Sequence, residues 1–377
     1  MLSRRDAIVA AGAATAASLL RPPLALAADA GLAANAGRTG RFFGAAARIE
    51  QLAAEPDLRA AYLRECSWFV PEIAMLWNVI EPAEDGFAFE AMDGLARYAS
   101  DREKKLRGHT LLWHLAVPDW ATQQLRAGAG WDLIDRYFGA VIPRYGERIE
   151  QWEVVNEPIE PGYRSDGLRP SVFLDAFGPE YVGRALAQAR TYAPAAHLMI
   201  NEYGLEYDNQ DERDRRRFLL KLLEGLRSDG APLDVLGMQA HLDLRKGHVS
   251  ASAIAAFCRA VNDLGLTIVV TELDVKESDY VATAPERDRL VGDEVRRYLD
   301  VVLSQRGVLG VTTWGLSDRH SWLEVTADDY ARFPSAWKDG TSPGFNRGLP
   351  LDSSLRPTPM YFALRDALGS VRPYKRV

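Results

Sequence analysis

The chain has 377 residues, of which 47% are apolar and 26% are charged, so it has the composition of an ordinary globular protein. Its formal net charge is -7 at pH 7 and it has no long basic block, which argues against a nucleic-acid partner. We expect a neutral partner instead.

The first 27 residues have the pattern of an export signal. Arg4 and Arg5 precede the apolar run AIVAAGAATAASLL, and a small-x-small cleavage pattern ends at Ala27. The paired arginines are similar to a twin-arginine signal; an ordinary secretory signal or a short membrane anchor are the alternatives. We expect export to the periplasm or the medium, no membrane contact of the mature form, and a flexible Ala/Gly leader over residues 28–40.

Eight short apolar or β-branched runs recur in residues 41–377, and the segments between them have helical spacing of apolar positions. The runs lie at 41–47, 69–75, 105–114, 149–158, 197–206, 235–242, 267–275 and 308–318. This alternation predicts an α/β protein, a single-domain (β/α)8 TIM barrel. An open doubly wound sheet is the alternative, but no GxGxxG or GxxxxGK[ST] motif follows the first strand.

The two cysteines, Cys66 and Cys258, lie far apart without CxxC or Cys/His spacing. The absence of such a motif argues against a zinc site or a disulfide scaffold. We expect both to be core residues, with a single disulfide between them as the alternative.

Polar and aromatic side chains end seven of the eight predicted strands. In a barrel of this kind the chemistry occurs at the C-terminal ends of the strands, so these residues belong together: Glu72; His109, Trp113 and His114; Asn156 and Glu157; Glu202 and Tyr203; Gln239 and His241; Glu272 and Asp274; Trp314 and Asp318. A structural role can explain each one alone. A whole ring of buried polar groups must be paired to offset desolvation, which predicts one functional site.

Two facing glutamates in this ring favour glycoside hydrolysis, in which one carboxylic acid donates a proton and one carboxylate attacks the sugar. The alternative is a metal-dependent hydrolase or isomerase with His109, His114, His241 and Asp274 as ligands. No HxH or HExxH pair occurs. We therefore expect no metal and no cofactor.

Five motifs in this order resemble glycoside hydrolase family 10, the endo-β-1,4-xylanase family, from about Phe42 to Tyr361. They are GHTLLWH (108–114), WEVVNEP (152–158), GMQAHL (237–242), VVTELDV (269–275) and WGLSDRHSWL (314–323). The resemblance implies a retaining, endo-acting hydrolase of β-1,4-linked polysaccharide, with xylan as the substrate. The mechanism that the resemblance implies is a double displacement. We also expect the protein to be a monomer.

The resemblance also assigns roles to matching positions. Glu157 would be the general acid/base and Glu272 the nucleophile, while Asn156 would bind the sugar 2-hydroxyl. His241, supported by Asp274, would hold Glu272 ionised and oriented. The positions that would shape the sugar sites are Glu72, His109, Trp113, Tyr203, Gln239, Trp314 and Trp322.

The sequence departs from the family in one region. Where the family reads Glu-Asn-x-Met-Lys-Trp, Ile73 and Leu76 replace the Asn and the Lys, and Ala116 replaces an amide. Losing three hydroxyl ligands changes substrate preference more than chemistry. The alternatives are therefore a different β-glycan, such as a bacterial exopolysaccharide, and a non-catalytic glycan-binding protein on the same fold.

Overall fold

The structure is a computed structural model of this chain, and it describes residues 30–277, 283–323 and 346–370. Residues 1–27, the predicted export signal, lie outside these ranges. Within them the strands are β1 (Phe42–Ala47), β2 (Trp68–Pro71), β3 (Lys105–Gly108), β4 (Leu112–Trp113), β5 (Ile149–Asn156), β6 (His197–Glu202), β7 (Val235–Met238), β8 (His241–Asp243), β9 (Thr267–Lys276) and β10 (Val308–Thr313).

Helices separate the strands. In the described part they are α1 (Leu32–Arg38), α2 (Ile49–Ala54), α3 (Pro56–Glu65), α4 (Trp77–Ile80), α5 (Glu90–Ser100), α6 (Asp119–Arg126), α7 (Asp132–Tyr145), α8 (Val172–Phe177), α9 (Tyr181–Tyr192), α10 (Gln210–Ser228), α11 (Ala251–Asp263), α12 (Ala284–Val302) and α13 (Pro359–Ser370).

The strands form a closed parallel barrel. Neighbouring strands follow the order β10, β1, β2, β3, β5, β6, β7, β9, and β9 pairs back with β10. The short strands β4 and β8 continue β3 and β7, because β4 also pairs with β5 and β8 also pairs with β9. The barrel therefore has eight strand positions. Each lies within one of the predicted runs or extends one residue beyond one end of it. The predicted (β/α)8 barrel is confirmed.

The barrel interior changes from apolar to polar along its axis. Met199, Val235 and Val269, on three adjacent strands, form a small apolar cluster. Two residues further along their strands, Asn201 and Thr271 point to the same face, since strand side chains alternate. The Thr271 hydroxyl donates a hydrogen bond to Asn201 Oδ1 at 2.7 Å. The polar layer therefore lies towards the C-terminal ends of the strands.

Helix α10 begins at a local signal and buries one face. At α10 the Asn209 side chain caps the first turn, accepting the Glu212 N–H at 2.9 Å. Leu219 and Leu223, four residues apart, are fully buried in the core. Because residues at this spacing share one face of a helix, that face packs on the barrel.

The flexible leader predicted for residues 28–40 is wrong from Leu32 onward. Leu32 and Ala36, one helical turn apart, are fully buried on α1. The Leu32 N–H donates to Glu65 Oε2 at 2.9 Å, and the Thr39 hydroxyl donates to the Leu368 carbonyl at 3.2 Å. Alanine, which reads as low complexity, is also the best helix former, and α3 and α13 supply the packing.

Cys66 and Cys258 are free and buried, as core residues, so the alternative of a disulfide between them is wrong. Burial raises the pKa of the Cys258 thiol to about 12. Among the described helices, none has both the length and the apolar character required to cross a bilayer.

Candidate active site

Three amide side chains connect the two predicted carboxylates. Asn201 Nδ2 donates to Glu272 Oε1 at 2.6 Å and to Asn156 Oδ1 at 3.2 Å. Gln239 Nε2 donates to Asn156 Oδ1 at 3.1 Å and to Glu157 Oε1 at 3.2 Å. Asn156 Nδ2 lies 3.4 Å from Glu157 Oε1. The structure therefore brings Glu157 and Glu272 into one hydrogen-bonded group at the mouth of the barrel.

Glu157 has an unusual backbone. It follows the last residue of β5 and has a φ of 55°, in the left-handed region, which costs a residue other than glycine about 1–3 kcal/mol. Its N–H donates to the Asn201 carbonyl at 2.8 Å. Pro158 follows, and because proline has no N–H it cannot extend the ladder. The chain therefore turns away from the barrel directly after Glu157.

Glu272 lies on β9 beside a histidine-aspartate pair. His241 Nε2 is 3.2 Å from Glu272 Oε2, and His241 Nδ1 is 2.8 Å from Asp274 Oδ1. His241 and Asp274 are directly opposed in the β8–β9 ladder, so strand register fixes this contact. The indole N–H of Trp322 donates to the other Asp274 oxygen.

A second histidine-carboxylate pair also lies close to Glu272. His109 Nδ1 is 2.9 Å from Glu153 Oε1, and ligand atoms of His109, Glu153 and Glu272 all lie within 4.8 Å of one another. Arg107, also buried, donates from Nη2 to the Thr271 carbonyl at 2.7 Å. Glu272 is therefore surrounded by cationic groups and their counter-charges.

These contacts determine the charge of Glu272. Burial alone would raise its pKa, but the His241 hydrogen bond and the charges of His109, His241 and Arg107 outweigh burial and lower it below the ordinary value. Burial likewise opposes protonation of His241, yet Asp274 and Glu272 raise its pKa well above the usual range. For His109, Glu153 outweighs burial and raises the pKa. These contacts therefore favour the ionised form of Glu272, which its predicted role as nucleophile requires.

The four ligands of the alternative metal site do not form one group. His109 is paired with Glu153, whereas His241 lies between Asp274 and Glu272. Burial, and to a smaller extent the charge of Arg169, lowers the pKa of His114 to about 3. Each histidine therefore has a different environment, and the arrangement does not favour a metal centre built from these four.

Aromatic rings line the same end of the barrel. The Trp314 ring lies 4.8 Å from the His109 ring and 6.4 Å from the His241 ring, measured between centroids. Trp322 lies 5.0 Å from His241, and Trp113 is half-buried on β4, opposite Asn156. Such rings suit the apolar faces of sugars, so their predicted role in shaping the sugar sites stands as a prediction.

Two other predicted sugar ligands are bound to protein partners. Glu72 forms an ion pair with Arg48 at 2.6 Å. The Tyr203 hydroxyl accepts a hydrogen bond from Arg169 Nη2 at 2.8 Å, and the Arg215 guanidinium lies 4.2 Å from the Tyr203 ring. Tyr203 therefore belongs to an ionic cluster beside Glu157.

Sequence reasoning missed Asn201, Arg107 and Glu153, which are all fully buried. Each is a polar residue inside a strand run: Asn201 in HLMINEYGLE, Arg107 in KLRGHTLLWH and Glu153 in IEQWEVVNEP. A charged or amide side chain within a buried strand must find a partner, and that signal would have identified them as part of the site.

Comparisons with known proteins agree with this geometry. A sequence model of Glycosyl hydrolase family 10 matches residues 31–367. The chain is similar to endo-1,4-beta-xylanase B of Thermotoga neapolitana, with 27% identity over 81% of each chain. It is 32% identical to endo-1,4-beta-xylanase 2 of Aureobasidium pullulans over 67% of this chain and 70% of the relative.

Solved structures give the same result. Xylanase 10B of Thermotoga petrophila, solved in complex with xylobiose, has a TM-score of 0.76 and 25% identity over 90% of this chain and 97% of its own. Xylanase B of Clostridium stercorarium has a TM-score of 0.75 and 27% identity over 89% and 99%. With its barrel, its paired glutamates and a match along most of its length, the chain belongs to glycosyl hydrolase family 10.

Proposed function

We propose that this protein is a retaining endo-β-1,4-xylanase. The observation that supports it most directly is the pair of glutamates on β9 and directly after β5, joined through Asn156, Asn201 and Gln239. Proteins similar to this chain are named endo-1,4-beta-xylanases, and one similar structure contains xylobiose.

The first chemical step breaks the glycosidic bond. The Glu272 carboxylate attacks the anomeric carbon while Glu157 donates its proton to the departing oxygen, which leaves a covalent glycosyl-enzyme ester. Asn156 lies 3.4 Å from Glu157 and is linked to Glu272 through Asn201, and it would bond the 2-hydroxyl more strongly as the ring flattens.

The second step uses water. Glu157, now a carboxylate, removes a proton from a water molecule while the water oxygen attacks the anomeric carbon. The ester bond to Glu272 breaks, and the bonding electron pair restores its carboxylate. Two inversions give overall retention of configuration, which proton NMR of the first-formed product would detect.

Removing the nucleophile tests this function. We expect Glu272→Ala to lower kcat on an aryl β-xylobioside by about 10⁴-fold or more, because the carboxylate that forms the covalent intermediate is removed. Added azide should restore turnover of Glu272→Ala as the inverted α-glycosyl azide. The matched control is Glu150→Ala, at the far end of β5, where the carboxylate pairs with Lys105 at an exposed site. Undiminished activity of Glu272→Ala would contradict the mechanism.

A second substrate is favoured by the three positions at which this chain departs from the polar residues of the family. Leu76 and Ala116 are 1% and 2% exposed and Ile73 is half-buried, where the family resemblance expects hydroxyl ligands. We propose as the second candidate a β-glycan other than plain xylan, such as a bacterial exopolysaccharide. Reducing-end release from a polysaccharide panel distinguishes the two. Equal or better turnover of unsubstituted xylan excludes the second candidate, and a fall in viscosity that precedes reducing-end release identifies endo action.

We also propose export with removal of residues 1–27, and a monomeric mature protein without nucleic-acid partners. The paired arginines and the cleavage pattern ending at Ala27 support export. Sequencing the N-terminus of the secreted protein and measuring its molar mass by light scattering test both points. An uncleaved cytoplasmic product would contradict export, and a dimer mass would contradict the monomer.

A further inference from the structure

The left-handed turn at Glu157 needs support from outside the barrel. The backbone of Glu157 leaves β5 with a φ of 55°, and its side chain must still face Glu272. Such a conformation persists only where the surroundings over-determine it. The residues that hold this turn therefore help to place the proton donor.

Arg169 binds three successive carbonyls of the turn. Its Nε donates to the Glu157 carbonyl at 2.8 Å and its Nη2 to the Ile159 carbonyl at 3.1 Å. Its backbone N–H donates to the Pro158 carbonyl at 2.8 Å. The Arg169 side chain is only 12% exposed, so these bonds form largely away from water.

The other Arg169 donors are also committed to the protein. Nη1 forms an ion pair with Glu160 at 2.6 Å, and Nη2 donates to the Tyr203 hydroxyl at 2.8 Å. The whole guanidinium fork is therefore fixed, which suits arginine and not lysine, since an ammonium group has no planar fork.

A second buried arginine secures the same turn from the far side. Arg215 donates from Nη1 to the Ile159 carbonyl at 2.6 Å and lies 3.5 Å from Glu202. Glu202 in turn accepts the Ile159 N–H at 2.9 Å. Arg215 and Glu202 are 2% and 0% exposed, so they give Arg169 a rigid support.

We propose that Arg169 is a positioning residue for the proton donor: it fixes the left-handed turn so that the Glu157 carboxyl stays within reach of Gln239 and Asn156. This inference rests on the proposed glycosidase function, and it assigns to Arg169 no direct contact with the sugar.

The consequence is specific to proton transfer. Acid catalysis contributes most when the leaving group is a poor one, and little when it departs without a proton. A displaced Glu157 therefore slows the hydrolysis of substrates with poor leaving groups. A purely structural defect, by contrast, would reduce activity on all substrates alike.

The test compares two aryl β-xylobiosides, one releasing phenol and one releasing 2,4-dinitrophenol. We expect Arg169→Gln to lower kcat/KM for the phenyl substrate by about 10- to 100-fold and to leave the dinitrophenyl substrate within about threefold of wild type. Arg169→Lys, which keeps the charge but not the fork, should show the same selective loss to a smaller degree. Thermal unfolding establishes whether each variant is folded. If Arg169→Gln does not fold, the comparison of the two substrates is made with Arg169→Lys.

Arg164→Gln is the matched control. Arg164 is an arginine of the same loop that pairs with Asp166 at an exposed site, and its variant should match wild type on both substrates. Equal losses on the two substrates, or no loss on either, would overturn the role of Arg169. Failure of the wild-type enzyme on both substrates would instead reject the proposed function, so the two failures are distinguishable.

Discussion

His241 lies between the proposed nucleophile, Glu272, and Asp274, and it contacts both. It reaches Glu272 at 3.2 Å and Asp274 at 2.8 Å, and it is one of the groups that lower the pKa of Glu272 against the effect of burial. Glu272 attacks only as a carboxylate, so the acidic limb of the activity profile follows its pKa in the free enzyme.

Replacing this histidine should shift the pH dependence. In His241→Ala the Glu272 pKa rises, because burial is then less strongly opposed. More of Glu272 is protonated at any given low pH, so the acidic limb of kcat/KM moves to higher pH. A pH profile from about pH 3 to about pH 8 measures it.

The control for this profile is His248→Ala. His248 is 73% exposed and pairs with Glu294 outside the site, so its loss should leave the acidic limb in place. An unmoved limb in His241→Ala would mean that His109 and Arg107 alone set the charge of Glu272.

At the scale of the strands, the close packing of β6 against β7 limits the space for the Asn201 side chain. Gly237 is opposite Asn201 in the parallel ladder, and a Cβ built on Gly237 would lie 2.3 Å from Asn201 Oδ1 and 2.9 Å from a Thr271 methyl carbon. Only glycine leaves room for the amide that binds Glu272.

Gly237→Ala should therefore reduce both stability and activity. We expect a loss of about 1–3 kcal/mol in unfolding free energy from overpacking, and a fall in kcat of about tenfold as Asn201 moves from Glu272. Denaturant unfolding and steady-state kinetics measure the two effects. In the control Gly225→Ala, on α10, the new Cβ meets no atom within 4 Å, and helix propensity predicts about 1 kcal/mol of stabilisation. Full activity in Gly237→Ala would contradict the packing argument.

The sequence predicted the positions of the strands better than the breaks within them and the contacts between them. Each predicted run matches one barrel strand to within one residue at the ends that extend beyond it, and Glu157 and Glu272 are identifiable because strand ends are adjacent in any parallel barrel. The breaks between β3 and β4 and between β7 and β8 were not predictable, since the runs are continuous in sequence. Likewise, Asn201 and Arg107 acquire their partners only through cross-strand register, which one strand's sequence does not encode.

At the scale of the whole molecule, α1 links the two ends of the described chain. Glu65, on α3, accepts hydrogen bonds from the Leu32 N–H at 2.9 Å and the Tyr361 hydroxyl at 3.1 Å. Arg41 donates to the Leu303 and Val308 carbonyls. The residues just before β1 therefore bind both the α3 side and the C-terminal helix.

Two truncations test this link. The reference protein lacks residues 1–27, the predicted export signal. Removing residues 1–40 should lower Tm on the order of 5 °C or more, because Leu32 and Ala36 leave the core and Glu65 loses its Leu32 partner. Scanning calorimetry of both proteins decides it. Equal Tm values would restore the view of 28–40 as a flexible leader.

The charges beneath the sugar site have a consequence for the whole catalytic cycle. Three groups that carry or can take a positive charge, Arg107, His109 and His241, lie among three carboxylates, Glu153, Glu272 and Asp274. Esterification removes the negative charge of Glu272 at the moment Glu157 acquires one. In the proposed mechanism the net charge of the site is therefore the same in the free enzyme and in the intermediate, so no counter-ion has to enter or leave.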